Sequence, residues 1–217
     1  MKLADIQHTT LKDQVVRSLR KAILYGDIKP GQQITQQEIA EKLNISRMPV
    51  REAFAQLETE GLIKNVPYKG SIVAKLTKED IREIYEMRNL TEGFAAELAI
   101  KNMKEDDIKD LENILNNMHQ CLKREDVDSY VAFDRTFHYF IFEKSGNRRL
   151  IRLIKNIWES FPMYIAYSMP KRIEKSFQEH DGMLKAIMKK DSKTTAYLVR
   201  KQIDTVYAEM VPHFEDH

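Results

Sequence analysis

Asp134 and His138 stand four residues apart in Asp134-Arg135-Thr136-Phe137-His138, a spacing that puts both side chains on one face of a helix. His180 precedes Met183, Leu184 and Ile187 on a second helical stripe, where a core-facing position is expected. One carboxylate and two imidazoles from two helices make the beginning of a site for zinc, nickel or manganese. Taken alone, such an i, i+4 pair is also what a surface ion pair or a partnered core histidine looks like. His8, His119, His213 and His217 fall at the chain ends or on a face read as exposed, and are weaker candidates. A second constellation is cationic. Arg47 and Arg51 share one face at the start of a short helical stretch, and a guanidinium fork can bond guanine O6 and N7 together. Hydrolytic chemistry is not indicated. Asp134 has no glutamate beside it to act as the base of a His-Glu-x-x-His site, and no serine or cysteine nucleophile constellation is apparent. A helical metalloenzyme is thus the weaker alternative.

The elements that must position these residues are legible from periodicity and caps. Leu11, Val15, Leu19, Ala22 and Ile23 predict a helix over about 10–25, capped by Thr9 or Thr10 and stopped by Gly26. Thr35-Gln36-Gln37-Glu38 is a capping box opening a short helix that buries Ile39, Ala40 and Leu43 and ends at Asn44. Ser46 caps the next helix, which carries Pro49 in its first turn and Val50, Ala53, Phe54 and Leu57 as its core stripe. Two helices with so short a link form a helix-turn-helix, whose second member meets base edges with its N-terminal end. Two β-prone runs follow, Leu62–Asn65 and Ser71–Ala74. The turn between them, 66–70, carries Tyr68 and Lys69, and together they read as a wing.

Thr77-Lys78-Glu79-Asp80 is another capping signal and sets the predicted boundary between domains 1–76 and 77–217. Beyond it the pattern is helical to the end. A long helix carries Ile81 to Leu98, and others lie near 108–122, 127–144, 147 onward with an expected kink at Pro162, 171–190 and 192–211. The fold class is therefore mainly α, a winged helix-turn-helix followed by an all-α antiparallel bundle. Composition agrees: Gly (7) and Pro (6) are too few for a β-sandwich. Residues 1–76 hold 12 Lys/Arg against 8 Asp/Glu, whereas the remainder is mildly acidic, as expected when one domain meets a polyanion. The single Cys121 excludes an internal disulfide. The chain shows neither a signal-peptide pattern nor a run long enough to cross a bilayer, so a cytoplasmic location without membrane contact is expected.

The run Ser46-Arg-Met-Pro-Val-Arg-Glu-Ala-Phe-Ala-Gln-Leu-Glu-Thr-Glu-Gly61-Leu-Ile, with Ile28-Lys-Pro-Gly31 and the turn ending at Gly70, resembles the DNA-binding part of GntR-family bacterial transcription regulators. The resemblance implies a homodimer on a palindromic operator of double-stranded DNA. Ser46, Arg47, Met48, Arg51, Lys69 and Gly70 would lie at the DNA. Met48 stands where the family usually has a hydroxyl residue, and Gln37 where some members have an arginine, so operator sequence does not transfer. The back of the chain resembles the FCD effector domain of the FadR subfamily. Asp134, His138 and His180 match its metal motif, and its fourth position falls at Gln202, an amide in place of a histidine. Arg88, in Tyr85-Glu-Met-Arg88, matches the arginine that grips a carboxylate effector. The implied protein is a regulator, not an enzyme, controlled by a small organic acid with or without a metal. A metal-free regulator with an apolar effector such as an acyl thioester is the alternative.

Overall fold

The structure is a computed structural model, and it describes residues 10–24, 26–66, 70–159 and 171–214. The chain divides into two compact units, 1–75 and 76–217, one residue from the boundary expected at Thr77.

In the first unit, α1 spans Leu11–Leu24, α2 Gln36–Leu43 and α3 Arg47–Thr59. Thr10 starts α1: its hydroxyl accepts from the Asp13 N–H at 3.1 Å while the Asp13 carboxylate takes the Thr10 N–H at 3.2 Å. Thr35 likewise accepts from the Glu38 N–H, and Asn44 ends α2 in the left-handed region at φ 52°. Ser46 sits at the N-cap of α3 with an extended backbone, but its hydroxyl makes no capping bond, so the expected side-chain cap is absent. Strands β1 (Gln33–Ile34), β2 (Ile63–Val66) and β3 (Gly70–Val73) form an antiparallel sheet in the order β1-β3-β2. The two wing strands start within one residue of the expected runs. The two-residue β1 was not anticipated; it pairs Gln33 with Ile72 and Ile34 with Ser71. Val15, Leu19, Ile34, Val50, Phe54, Leu57, Ile63 and Val73 fill the core. Leu43, expected to be buried, is exposed, because α2 ends at that residue.

The second unit contains, among the described residues, α4 (Lys78–Asn102), α5 (Glu105–Lys123), α6 (Val127–Glu143), α7 (Arg148–Glu159), α8 (Arg172–Met188), α9 (Ser192–Met210) and a short 3₁₀ turn, Val211–His213. The Thr77–Asp80 capping box forms in both directions. Helix α4 packs against α9, α7 and α6, while α5 packs against α6 and α8. Contacts from Tyr85 to Met210 and from Asn89 to Asp204 make α4 and α9 antiparallel. Gly93 lets them approach: a Cβ there would lie 2.4 Å from Arg200 Nε. The kink expected at Pro162 lies outside the described residues. No helix among those described is long and apolar enough to cross a membrane.

Candidate metal centre and nucleic-acid interface

Burying Val50, Ala53, Phe54 and Leu57 in the core turns the opposite side of α3 outward. Ser46, Arg47, Met48 and Arg51 are all exposed at its N-terminal end. Neither arginine forms an ion pair among the described residues. The Arg51 guanidinium donates to the Met48 sulfur at 3.1 Å, which draws the two side chains together. Met48, 53% exposed, is an apolar group on an otherwise polar face. Gln37, on α2, is held by Glu41 one turn later. Gly70 opens β3 at φ 74°, a conformation that favours glycine, while Lys69 lies outside the described residues. Two exposed guanidinia at the N-terminus of the second helix of a helix-turn-helix can bond base edges or phosphates.

In the bundle, α6 brings Asp134 and His138 to the same side, and α8 sets His180 against them. All three are buried, with ligand atoms within 4.8 Å of one another. The two Nε2 atoms face each other at 2.9 Å, and Asp134 Oδ1 lies 3.1 Å from His180 Nε2. His180 Nδ1 is 2.5 Å from the carbonyl oxygen of Ser176, one turn earlier. A ring N–H donated to that carbonyl leaves the Nε2 lone pair directed at His138 and Asp134, the arrangement typical of a ligating histidine. Burial pulls the His138 imidazole down to about 3, so it is held in the neutral form that binds metal. Its Nδ1 is buried without a hydrogen-bond partner among the described residues. Gln202 is buried on α9, close enough to His138 to act on its ring. His119 is half-buried on α5 and stacks on Phe177, away from an exposed position. His8 and His217 lie outside the described residues.

Arg88, matched from sequence to the arginine that grips a carboxylate effector, is also inside, 4% exposed. Arg88 Nε donates to Glu92 Oε1 at 2.7 Å, and the same oxygen accepts from Trp158 Nε1 at 2.7 Å. Trp158 in turn lies against His138, with ring centroids 5.6 Å apart. Ser176, Glu92 and Trp158 were not singled out from sequence. The first two each sit one helical turn from a residue that was, and that spacing is the signal that could have found them.

The model for the gntR family of bacterial regulatory proteins matches residues 11–73, and the FCD domain model matches 83–205. The gluconate operon transcriptional repressor of Bacillus subtilis is 30% identical over 200 residues, covering 89% of this chain and 82% of that protein. The regulator McbR of Escherichia coli is 25% identical over 190 residues, 86% of each chain. The solved structure of E. coli McbR/YncC superposes with a TM-score of 0.81 at 23% identity, covering 95% of this chain and 99% of the other. A GntR regulator from Rhodococcus gives 0.75 at 21% identity, covering 95% and 100%. These likenesses below 25% identity show a shared fold. The relatives are transcription regulators, not enzymes. A helix-turn-helix with exposed arginines, a wing and an all-helical bundle thus agree with the matches at both ends, and the chain belongs to the GntR family of bacterial transcription regulators, in the group that carries an FCD domain.

Proposed function

We propose that the chain binds a palindromic operator as a homodimer and that a small carboxylate, held at Arg88 together with a divalent metal, changes its affinity for that operator. The observation that carries the effector half is the convergence of Asp134, His138 and His180 in the interior of the bundle. Their donor set fits a borderline cation: one carboxylate, one imidazole kept neutral by burial, and one whose tautomer is set by the Ser176 carbonyl. Such a cation supplies a Lewis-acid centre for an oxygen ligand. The chain's own contributions are to hold it dry and to present Arg88 nearby, since the Arg88 charge is felt at His138. Control is a population shift. The ligand favours one arrangement of two DNA-binding units only by binding that arrangement more tightly.

Support for the homodimer comes from α4. Met87, Leu90 and Phe94 recur at three- and four-residue steps along its outer side, and Leu90 is 67% exposed. A run of large apolar side chains on a helix of a regulatory bundle suits a self-complementary two-fold contact. Leu90→Glu is expected to convert the dimer to a monomer in light scattering at micromolar concentration, with helical content retained. An unchanged mass would place the contact elsewhere.

The whole reading is tested by selection from random duplexes with the full chain, followed by native mass spectrometry. Enrichment of an inverted repeat, and a dimer mass carrying metal, is the expected outcome. Failure to enrich any repeat would remove the DNA half. A bound acyl thioester without metal would replace the effector half.

A further inference from the structure

Resting on the reading that a carboxylate comes to Arg88, we infer that Glu92 reserves Arg88 for carboxylate ligands, by occupying the Nε edge of the guanidinium until a ligand displaces it.

Arg88 and Glu92 lie one turn apart on α4 and are 4% and 1% exposed. Their contact is lopsided, 2.7 Å from Nε to Oε1 but 3.5 Å from Nη2 to Oε2. The second distance is at the edge of hydrogen bonding, so the pair falls short of the two-bond fork an arginine can give a carboxylate. The guanidinium is also flanked by rings: its central carbon lies 4.9 Å from the Tyr85 ring centre and 5.3 Å from that of Trp158. Glu92 Oε1 holds two donors from two helices, Arg88 of α4 and Trp158 of α7.

A buried ion pair of this kind is often no more stabilising than an apolar pair of the same volume, so stability alone does not account for it. Removing one partner, however, leaves the other charge buried and uncompensated. A ligand carboxylate therefore gains the Nε edge of Arg88 only by exchange, one negative charge replacing another. A ligand able to make both limbs of the fork has the advantage over Glu92, which makes one well and one poorly. Ligands without a carboxylate have no such advantage, and Glu92 keeps Arg88 from any of them. The exchange is also felt elsewhere, because Glu92 leaves or reorients against Trp158, whose ring touches His138.

The test is calorimetric titration of the full chain, loaded with zinc, with succinate as the probe. Glu92→Gln keeps an oxygen for the Trp158 N–H and removes the competing charge. It is expected to bind succinate at least tenfold more tightly than the parent, and saturable binding in the variant alone would support the inference equally. Arg88→Ala should lose binding in either background. Equal or weaker binding by Glu92→Gln, with binding by the parent intact, overturns the inference and leaves the carboxylate reading standing. No saturable heat in either protein overturns both. Trp158 is the sole tryptophan of the chain, so its emission gives a second readout, expected to shift as succinate saturates. Should Glu92→Gln lose its cooperative melt, Trp158→Phe takes its place. Removing one of the two donors that hold Glu92 should again tighten succinate binding, and unchanged or weaker binding overturns the inference.

Discussion

Alanine at Arg47 or at Arg51 is expected to weaken operator binding by about 1–3 kcal/mol each, roughly five- to 150-fold, without unfolding the first unit. Both side chains are exposed and form no ion pair among the described residues, so their removal costs little packing. The effect should therefore be read as lost DNA contact. The two possible contacts separate cleanly. An arginine on a base edge, once removed, relaxes preference at one position of the half-site. An arginine on a phosphate weakens every duplex alike and lowers the slope of log affinity against log salt by about 1. Fluorescence anisotropy with the selected operator and with single-position variants, at several salt concentrations, distinguishes them. Arg51, which donates to the exposed Met48 sulfur, is the better candidate for a base edge, since that contact restricts where its fork can point. Unchanged affinity in both variants would mean that α3 does not enter a groove.

That face of α3 was legible in the sequence because it rests on local rules. A turn of three residues, a left-handed Asn44 and a core stripe at helical spacing leave Arg47 and Arg51 nowhere to go but outward. The metal-type trio was legible for a similar reason, since Asp134 and His138 need only one helix to bring them together. Long helix α4 was harder. It carries apolar residues on more than one side, so periodicity predicts a helix but does not choose its inner face. The structure buries Arg88, Thr91 and Glu92 and leaves Leu90 and Phe94 outside, the reverse of what hydropathy alone suggests. What decides the matter is tertiary: Trp158 of α7 supplies the donor that makes a buried Glu92 tolerable, and no local signal announces a partner 66 residues away. Strand β1 was missed for a different reason. Two residues, Gln33 and Ile34, are too short to show alternation, and only pairing with β3 makes them a strand.

Gln202 stands where the resemblance to FCD domains implies a histidine, and the largest change in metal binding is expected there and at the two histidines. It is buried and close enough to His138 to act on its ring, so a longer reach is not needed to bring a donor near the centre. As an amide it offers a weak oxygen, whereas an imidazole nitrogen suits zinc or nickel better. Gln202→His should raise zinc or nickel affinity by more than tenfold, which corresponds to about 1.4 kcal/mol. His138→Ala and His180→Ala should abolish binding in the same assay, competition with a chromogenic chelator. The two losses have different causes. His180 is oriented by the Ser176 carbonyl and loses a fixed donor. His138 is the neutral ring that meets Gln202 and Trp158, and its loss also opens a gap against the tryptophan. The stability of each variant, followed by thermal melting without metal, separates that packing cost from lost coordination. Equal metal affinity in the parent, Gln202→His and His180→Ala would mean that Asp134, His138 and His180 form a hydrogen-bonded core cluster, with no cation between them.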